Sequence, residues 1–321
     1  MSINLLIDNL TNPALLFFFL GIIAVQLKSD LEIPPNSSKF ISLYLLFSIG
    51  FKGGQELAHS DWGPEIFWSL FLGIFLAIIV PAYTFFILRK RVGVFNAGAV
   101  AAAYGSVSAV TFVTGVSFLE IQQMAFGGHM VAIMALMEAP SIIVGILLIS
   151  LFNNGKSQGM QMGKIVKHSF TNGSVLLIMG SLVIGILASE KQAAGIAPFT
   201  TDIFKGFLSV FLLDMGITSG KKLSAFWQNG WFPFAFAIFT PIINGSLVAY
   251  LSGFISSSPG DQFLFAILAS SASYIAVPAA MKMAVPQANQ GLYIPMALGV
   301  TFPFNITMGM PLYMCVINIF S

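Results

Sequence analysis

Ala101-Ala-Ala-Tyr-Gly-Ser-Val-Ser-Ala-Val-Thr-Phe-Val-Thr114 is the stretch whose reading decides the fold. It lies inside an apolar run from about 93 to 119, long enough to cross a bilayer. Gly105, Ser106, Ser108 and Thr111 interrupt the centre of that run. About 165 residues later, Ala266-Ile-Leu-Ala-Ser-Ser-Ala-Ser-Tyr-Ile-Ala-Val-Pro278 is interrupted in the same manner. Both stretches read as helices broken inside the membrane.

The composition supports a lipid setting. Of 321 residues, 57% are hydrophobic and 8% charged, against about 25% charged in a soluble domain. A soluble core of this size cannot hide so much apolar surface. Cys315 is the only cysteine, so no disulfide framework or cysteine-based zinc site can form, and it reads as filler in the last helix. No basic n-region precedes the first apolar run, which reads as a retained membrane helix rather than a signal peptide.

Ten apolar segments fall at about 13–27, 38–51, 64–88, 94–118, 129–152, 172–189, 199–217, 231–255, 262–284 and 291–319. The second is short for a full crossing. Ten Lys and Arg, among them Lys39, Arg89, Lys164 and Lys221, occupy the odd-numbered connections; only Lys52, Lys191 and Lys205 occupy the even side. That bias places the odd connections in the cytoplasm and both termini outside the plasma membrane, here a bacterial inner membrane.

A weak internal repeat joins the halves. Ser48-Ile-Gly-Phe-Lys-Gly-Gly-Gln-Glu-Leu57 aligns with Asp214-Met-Gly-Ile-Thr-Ser-Gly-Lys-Lys-Leu223, and Ser106-Val-Ser108 with Ser271-Ala-Ser273. Met134-Ala-Leu136 and Pro140 echo Met296-Ala-Leu298 and Pro303. Five segments per half is odd, so the second half must enter the membrane inverted. The expected organisation is all-α: a first five-helix repeat over 1–155, a cytoplasmic linker over 156–168, and an inverted second repeat over 169–321.

Paired interrupted helices are how secondary transporters build a site at the midplane. Each second half-helix starts at its break, and two helix N-termini then face one centre. Unpaired N–H groups and about half a positive charge at each suit a small anion. Gly105, Ser106, Val107, Ser108 and Thr111, with Ser271, Ala272 and Ser273, form the candidate substrate site. The same hydroxyls can instead satisfy backbone groups freed from the helix ladder. Free carbonyls at the ends of the first half-helices, with Ser271, Ser273 and Glu138, make a candidate Na⁺ site. Glu138 is the one acidic residue inside an apolar span; it can hold Na⁺, relay a proton, or pair with a neighbour. Lys282 sits about 13 Å past Ser273, where it can snorkel or guard the inner exit. Asn305 can line the cavity or cap a helix, and Asp214 reads as a packing contact. His59, His129 and His168 read as solvated side chains. No nucleophile elbow, Walker loop or HExxH pattern is present, so no enzyme and no organic cofactor is expected.

The residues carry a resemblance. Leu46-Phe-Ser-Ile-Gly-Phe-Lys-Gly-Gly54, Gly105-Ser-Val-Ser-Ala-Val-Thr111, Met137-Glu-Ala-Pro140, and 269–289 resemble the SbtA-type sodium-dependent bicarbonate transporters nearly end to end. The resemblance implies ten helices in two inverted repeats, a homotrimer, and Na⁺-coupled bicarbonate symport at the crossing of the broken helices. It also implies a PII-like regulator on the cytoplasmic face. The chain departs from the cyanobacterial pattern in three places. Tyr274 stands where those members carry an acidic residue, Glu138 where they carry Asp, and the loop between the halves is reduced to about 153–168. The alternatives are a transporter of another small anion or carboxylate, with or without proton coupling through Glu138, and an anion channel or membrane sensor. Two crossing broken helices plug the midplane, which disfavours a channel.

Overall fold

A computed structural model describes residues 3–60, 63–153, 171–226 and 230–320. The expected linker 156–168, with Lys156, Lys164, Lys167 and His168, lies outside the described residues. Among the described residues every regular element is a helix. In chain order these are α1 (Ile3–Leu10), α2 (Pro13–Gln26), α3 (Pro35–Ala58), α4 (Pro64–Val92), α5 (Val94–Gly105), α6 (Ala109–Ile121) and α7 (His129–Phe152). After the central loop come α8 (Gly173–Leu187), α9 (Glu190–Ala197), α10 (Phe204–Phe226), α11 (Trp231–Leu251), α12 (Pro259–Ser270), α13 (Ala276–Ala284) and α14 (Gln290–Phe320). Among the described residues six stretches are long and apolar enough to cross a membrane: α4, α5 with α6, α7, α9 with α10, α11, and α14. The shorter apolar helices α2 and α8 accompany them.

Proline starts several of these helices. Pro13, Pro35, Pro64 and Pro259 occupy first-turn positions, where the missing N–H costs nothing. The outward face of α4 carries Phe67, Trp68, Phe71 and Phe75, all exposed at helical spacing, as expected of a lipid-facing surface. By contrast α5, α6 and α12 are almost wholly buried.

The helices form two packed groups. In one, α2 packs on α10 and α3 on α8, with α3 also against α10. In the other, α4 packs on α5 and α7, and α11 on α12 and α14. The pattern of 13–152 thus recurs in 173–320. Glycines allow the close contacts of the first group. A Cβ on Gly54 would collide with the Leu182 carbonyl and stand 2.9 Å from the Gly185 Cα. One on Gly216 would strike the Phe18 carbonyl and stand 3.2 Å from the Gly21 Cα. Without a hydrophobic drive between helices in lipid, close backbone packing of small residues supplies the attraction.

Two expectations change. The second segment is a full 24-residue helix rather than a short one. Its polar end continues the helix because Lys52 and Gln55 find partners: the Glu120 carboxylate for Lys52, the Gly185 and Ala188 carbonyls for Gln55. His129 is buried, not solvated. Its Nε2 lies 3.7 Å from Asp261 Oδ2, and Asp261 Oδ1 accepts the Gly127 N–H at 2.6 Å. This buried pair fastens the start of α7 to the start of α12. His59 is exposed, 3.3 Å from Glu190.

Gly54→Leu or Gly216→Leu should separate its helix pair and lower stability by about 1–3 kcal/mol or more, the usual range for overpacking. A thermal-unfolding scan of the purified protein checks this. The same substitution at Gly180, which has open space, should cost much less.

Candidate functional site

Both sequence-predicted breaks are present. Helix α5 ends at Gly105 and α6 begins at Ala109, leaving Ser106–Ser108 extended. Helix α12 ends at Ser270 and α13 begins at Ala276, leaving 271–275 non-helical. The two breaks touch. The Ser108 N–H donates to Ser271 Oγ at 3.0 Å, and the Ser273 N–H donates to the Ala103 carbonyl at 2.8 Å. Gly105 is required by space, because a Cβ there would overlap the Pro81 ring of α4.

The freed backbone groups are largely satisfied. Ser106 N–H and Ser271 N–H donate to the Ala102 and Ile267 carbonyls, each at 3.0 Å. Asn244 Nδ2 donates to the Ala269 carbonyl at 3.2 Å, and Asn305 Nδ2 to the Ser270 carbonyl at 3.0 Å. Tyr83 donates to Asn244 Oδ1 at 2.6 Å, and the Tyr313 hydroxyl lies 2.8 Å from Asn305 Oδ1 and 2.9 Å from the Pro241 carbonyl, with one proton to serve the two acceptors. The carbonyls expected to be free for a cation at these ends are therefore mostly occupied. Asn305 caps a helix, as one of its two readings had it. Asn244 was not singled out in the sequence; an amide three residues after Pro241, inside an apolar run, is the signal that marks it.

At the crossing lies a cavity of about 40 Å³, room for a few waters or one small ion. It sits between the two helix groups. Its walls include Leu45 and Leu46 of α3, Val107, Ser108, Ala109 and Val110 at the start of α6, Glu138 of α7, Ile178 of α8 and Phe211 of α10. Ser273, Tyr274, Ile275 and Ala276 at the start of α13 complete it. The first turns of both second half-helices thus face the same small space, and their unpaired N–H groups favour negative charge there. Ser108 caps α6 by accepting the Thr111 N–H at 3.1 Å, and Ser273 accepts the Val277 N–H at 3.4 Å. Each hydroxyl keeps its own proton unspent.

Not every candidate reaches the cavity. Val107, Ser108, Ser273 and Glu138 line it. Gly105, Ser106, Thr111, Ser271 and Ala272 are buried in the crossing instead. Ser271 Oγ is occupied, accepting from Ser108 N–H and donating to the Leu268 carbonyl at 3.3 Å. The hydroxyls of Ser106 and Thr111 are buried without a protein partner. Lys282 is exposed in the last turn of α13, where it complements the helix dipole, and lines no part of the cavity. No cation or hydrogen-bond donor among the described residues pairs with Glu138. Of its three readings, structural pairing is the one the packing does not provide.

A larger recess of about 570 Å³ adjoins the cavity; Ser42, Ser174, Phe211, Tyr274 and Ile275 line both. Glu32, Lys39, Asp214 and Lys221 ring the recess, and Ser38 donates to Asp214 Oδ2 within it. At the opposite end, Lys52 Nζ meets Glu120 Oε1 at 2.8 Å and Lys205 Nζ lies 3.7 Å from Glu120 Oε2. That cluster ties α3 and α10 to the end of α6. Its members are partly exposed, so each pair contributes about 0.2–1 kcal/mol.

A model of the Na⁺-dependent bicarbonate transporter superfamily matches residues 13–318. The chain belongs to this superfamily. No curated protein matches the chain at a significant level. In transporter folds with paired interrupted helices, substrate sites lie near the bilayer midplane where the breaks meet.

Ser108→Ala should remove the α6 cap and one donor from the cavity. The helix should lose about 1 kcal/mol, and anion affinity should fall several-fold to about tenfold. Binding of ¹⁴C-bicarbonate to purified protein measures the second effect; unchanged binding would make the hydroxyl purely structural.

Proposed function

We propose that the protein is a secondary active transporter that carries bicarbonate into the cell together with Na⁺. The observation that carries this reading is the cavity at the crossing, lined by two helix N-termini, the spare protons of Ser108 and Ser273, and one unpaired carboxylate. The N-termini and hydroxyls are chemistry for an anion; Glu138 is chemistry for a hard cation. Family membership supports the pairing of bicarbonate with sodium. Glu138 and Ser273 are the proposed cation ligands. Ser271 is assigned to holding the crossing together, because its oxygen and proton are both engaged.

The recurrence of packing partners supports an inverted repeat: α2 with α10 answers α8 with α3, and α4 with α5 and α7 answers α11 with α12 and α14. The recess is ringed by residues of the connections rich in Lys and Arg, while the Lys52–Glu120–Lys205 cluster closes the other end. On the positive-inside rule the site is then open to the cytoplasm and shut to the outside.

Two measurements test this reading. In liposomes, an inward Na⁺ gradient should drive ¹⁴C-bicarbonate uptake, and Glu138→Gln should raise the Na⁺ concentration for half-maximal uptake by about tenfold or more, as loss of a charged ligand implies. Uptake driven only by a pH step would instead assign Glu138 to proton transfer. In a Cys315→Ala background, Thr218→Cys on the recess wall should react with a membrane-impermeant maleimide in inside-out vesicles and not in whole cells. Labelling from the outside would reverse the orientation.

A further inference from the structure

Tyr274 is the feature at the crossing that the proposed mechanism has not used. It lies in the second break, between Ser273 and the start of α13. Its side chain is nine-tenths buried, and its ring packs edge-on against Phe302 with centroids 5.8 Å apart. The phenolic hydroxyl stands beside the Ser108 side chain, yet forms no hydrogen bond of ordinary geometry. Burying a hydroxyl without a partner is costly, and a native protein keeps one only where something else completes it. Tyr274 lines the central cavity and also the recess that leads to it.

The donors at the cavity can be counted group by group. Ser108 Oγ accepts from Thr111 N–H and Ser273 Oγ accepts from Val277 N–H, so each has a proton to give. Ser271 has spent its proton on Leu268. Ser42 and Ser174 also line the cavity, and of the five hydroxyl side chains on its wall that of Tyr274 is the one buried without a hydrogen-bond partner. A phenol is a better donor than an alcohol and, at neutral pH, carries no charge to repel an anion. The hydroxyls of Ser108, Ser273 and Tyr274 beside two helix N-termini, around a space for one small ion, are donors suited to the oxygens of an oxyanion.

We infer that Tyr274 is a substrate ligand: its hydroxyl donates a hydrogen bond to the bound oxyanion and sets the affinity for that class of cargo. The inference rests on the transporter reading above and adds a residue to it. Tyr274 also lines the recess, whereas Ser108 and Ser273 do not, so cargo arriving from that side meets this residue before the two serines.

Tyr274→Phe is the test, because it deletes the hydroxyl and keeps the ring against Phe302. Three quantities are read on the full-length protein. Calorimetric titration with bicarbonate, formate and nitrate at fixed Na⁺ and pH should give a Kd about 10- to 100-fold higher for the variant, as expected for a lost hydrogen bond to a charged group. The Na⁺ concentration for half-maximal uptake should stay near the wild-type value, since the cation ligands are elsewhere. Thermal stability without anion should be unchanged or higher, because an unsatisfied buried hydroxyl has been removed.

Wild-type affinity in the variant overturns the assignment, as does a variant that loses stability without anion while binding normally. Failure of every anion to bind the wild-type protein also overturns it. If the wild type binds formate or nitrate but not bicarbonate, and the variant still binds them weakly, the bicarbonate reading falls and Tyr274 as an oxyanion ligand stands.

Discussion

A helix interrupted at membrane depth leaves backbone N–H and C=O groups that lipid cannot satisfy. Everything else in this fold follows from how that debt is met. The two breaks meet it mutually: Ser108 N–H reaches Ser271 Oγ, and Ser273 N–H reaches the Ala103 carbonyl. What remains is taken by Asn244 and Asn305, which cap the end of α12 from two other helices. Neither broken helix could stand alone, so burial of α5, α6 and α12 inside the other helices is a requirement rather than a packing preference. Burial in turn forces the remaining helices to carry the lipid-facing aromatic surface seen on α4.

The two halves use the same plan with different residues, and the differences fall where function needs asymmetry. Ser108 caps α6 directly, while the residue at the start of α13, Ile275, offers no side-chain cap. The end of α6 is tied to α3 and α10 by Glu120, with Lys52 and Lys205; the other end of the cavity opens into a recess. Weak, partly exposed ion pairs suit this position. At about 0.2–1 kcal/mol per pair, such ties can be opened at little cost.

Much of this was legible in the sequence because the signals were local. Small polar residues inside an apolar run mark a break wherever they occur, and both breaks are found at 106–108 and 271–275. The boundaries of α7 were readable from its continuous apolar run alone. The misses needed tertiary information. Lys52, Gln55 and Glu56 look like the end of a membrane helix until Glu120 and the α8 carbonyls are known to face them. His129 resembles a surface residue at a helix start, and only the approach of Asp261 from 132 positions away buries it. The short helix α1 was missed for a similar reason: Asn9 anchors it to the Ile306 and Thr307 carbonyls at 2.9 and 3.0 Å, in a wide π-helical turn of α14 that no composition rule announces.

The hydroxyls at the crossing divide into those fully engaged by the protein and those that keep a donor free. A serine has one proton and two lone pairs. Ser271 spends both kinds of capacity on the protein, and it faces the crossing. Ser108 and Ser273 spend only a lone pair on their helix N-termini, and they face the cavity. Capping uses a lone pair and leaves the proton to turn toward another acceptor, so it does not compete with donation to an anion. The same reasoning separates Glu138, which is half-buried, from Asp261, a buried acid near a helix start. Asp261 accepts from Gly127 and Ser256 and lies near His129, so its lone pairs are engaged. Glu138 has no such partners among the described residues, and an acceptor left open beside a cavity is what a cation or a proton can complete.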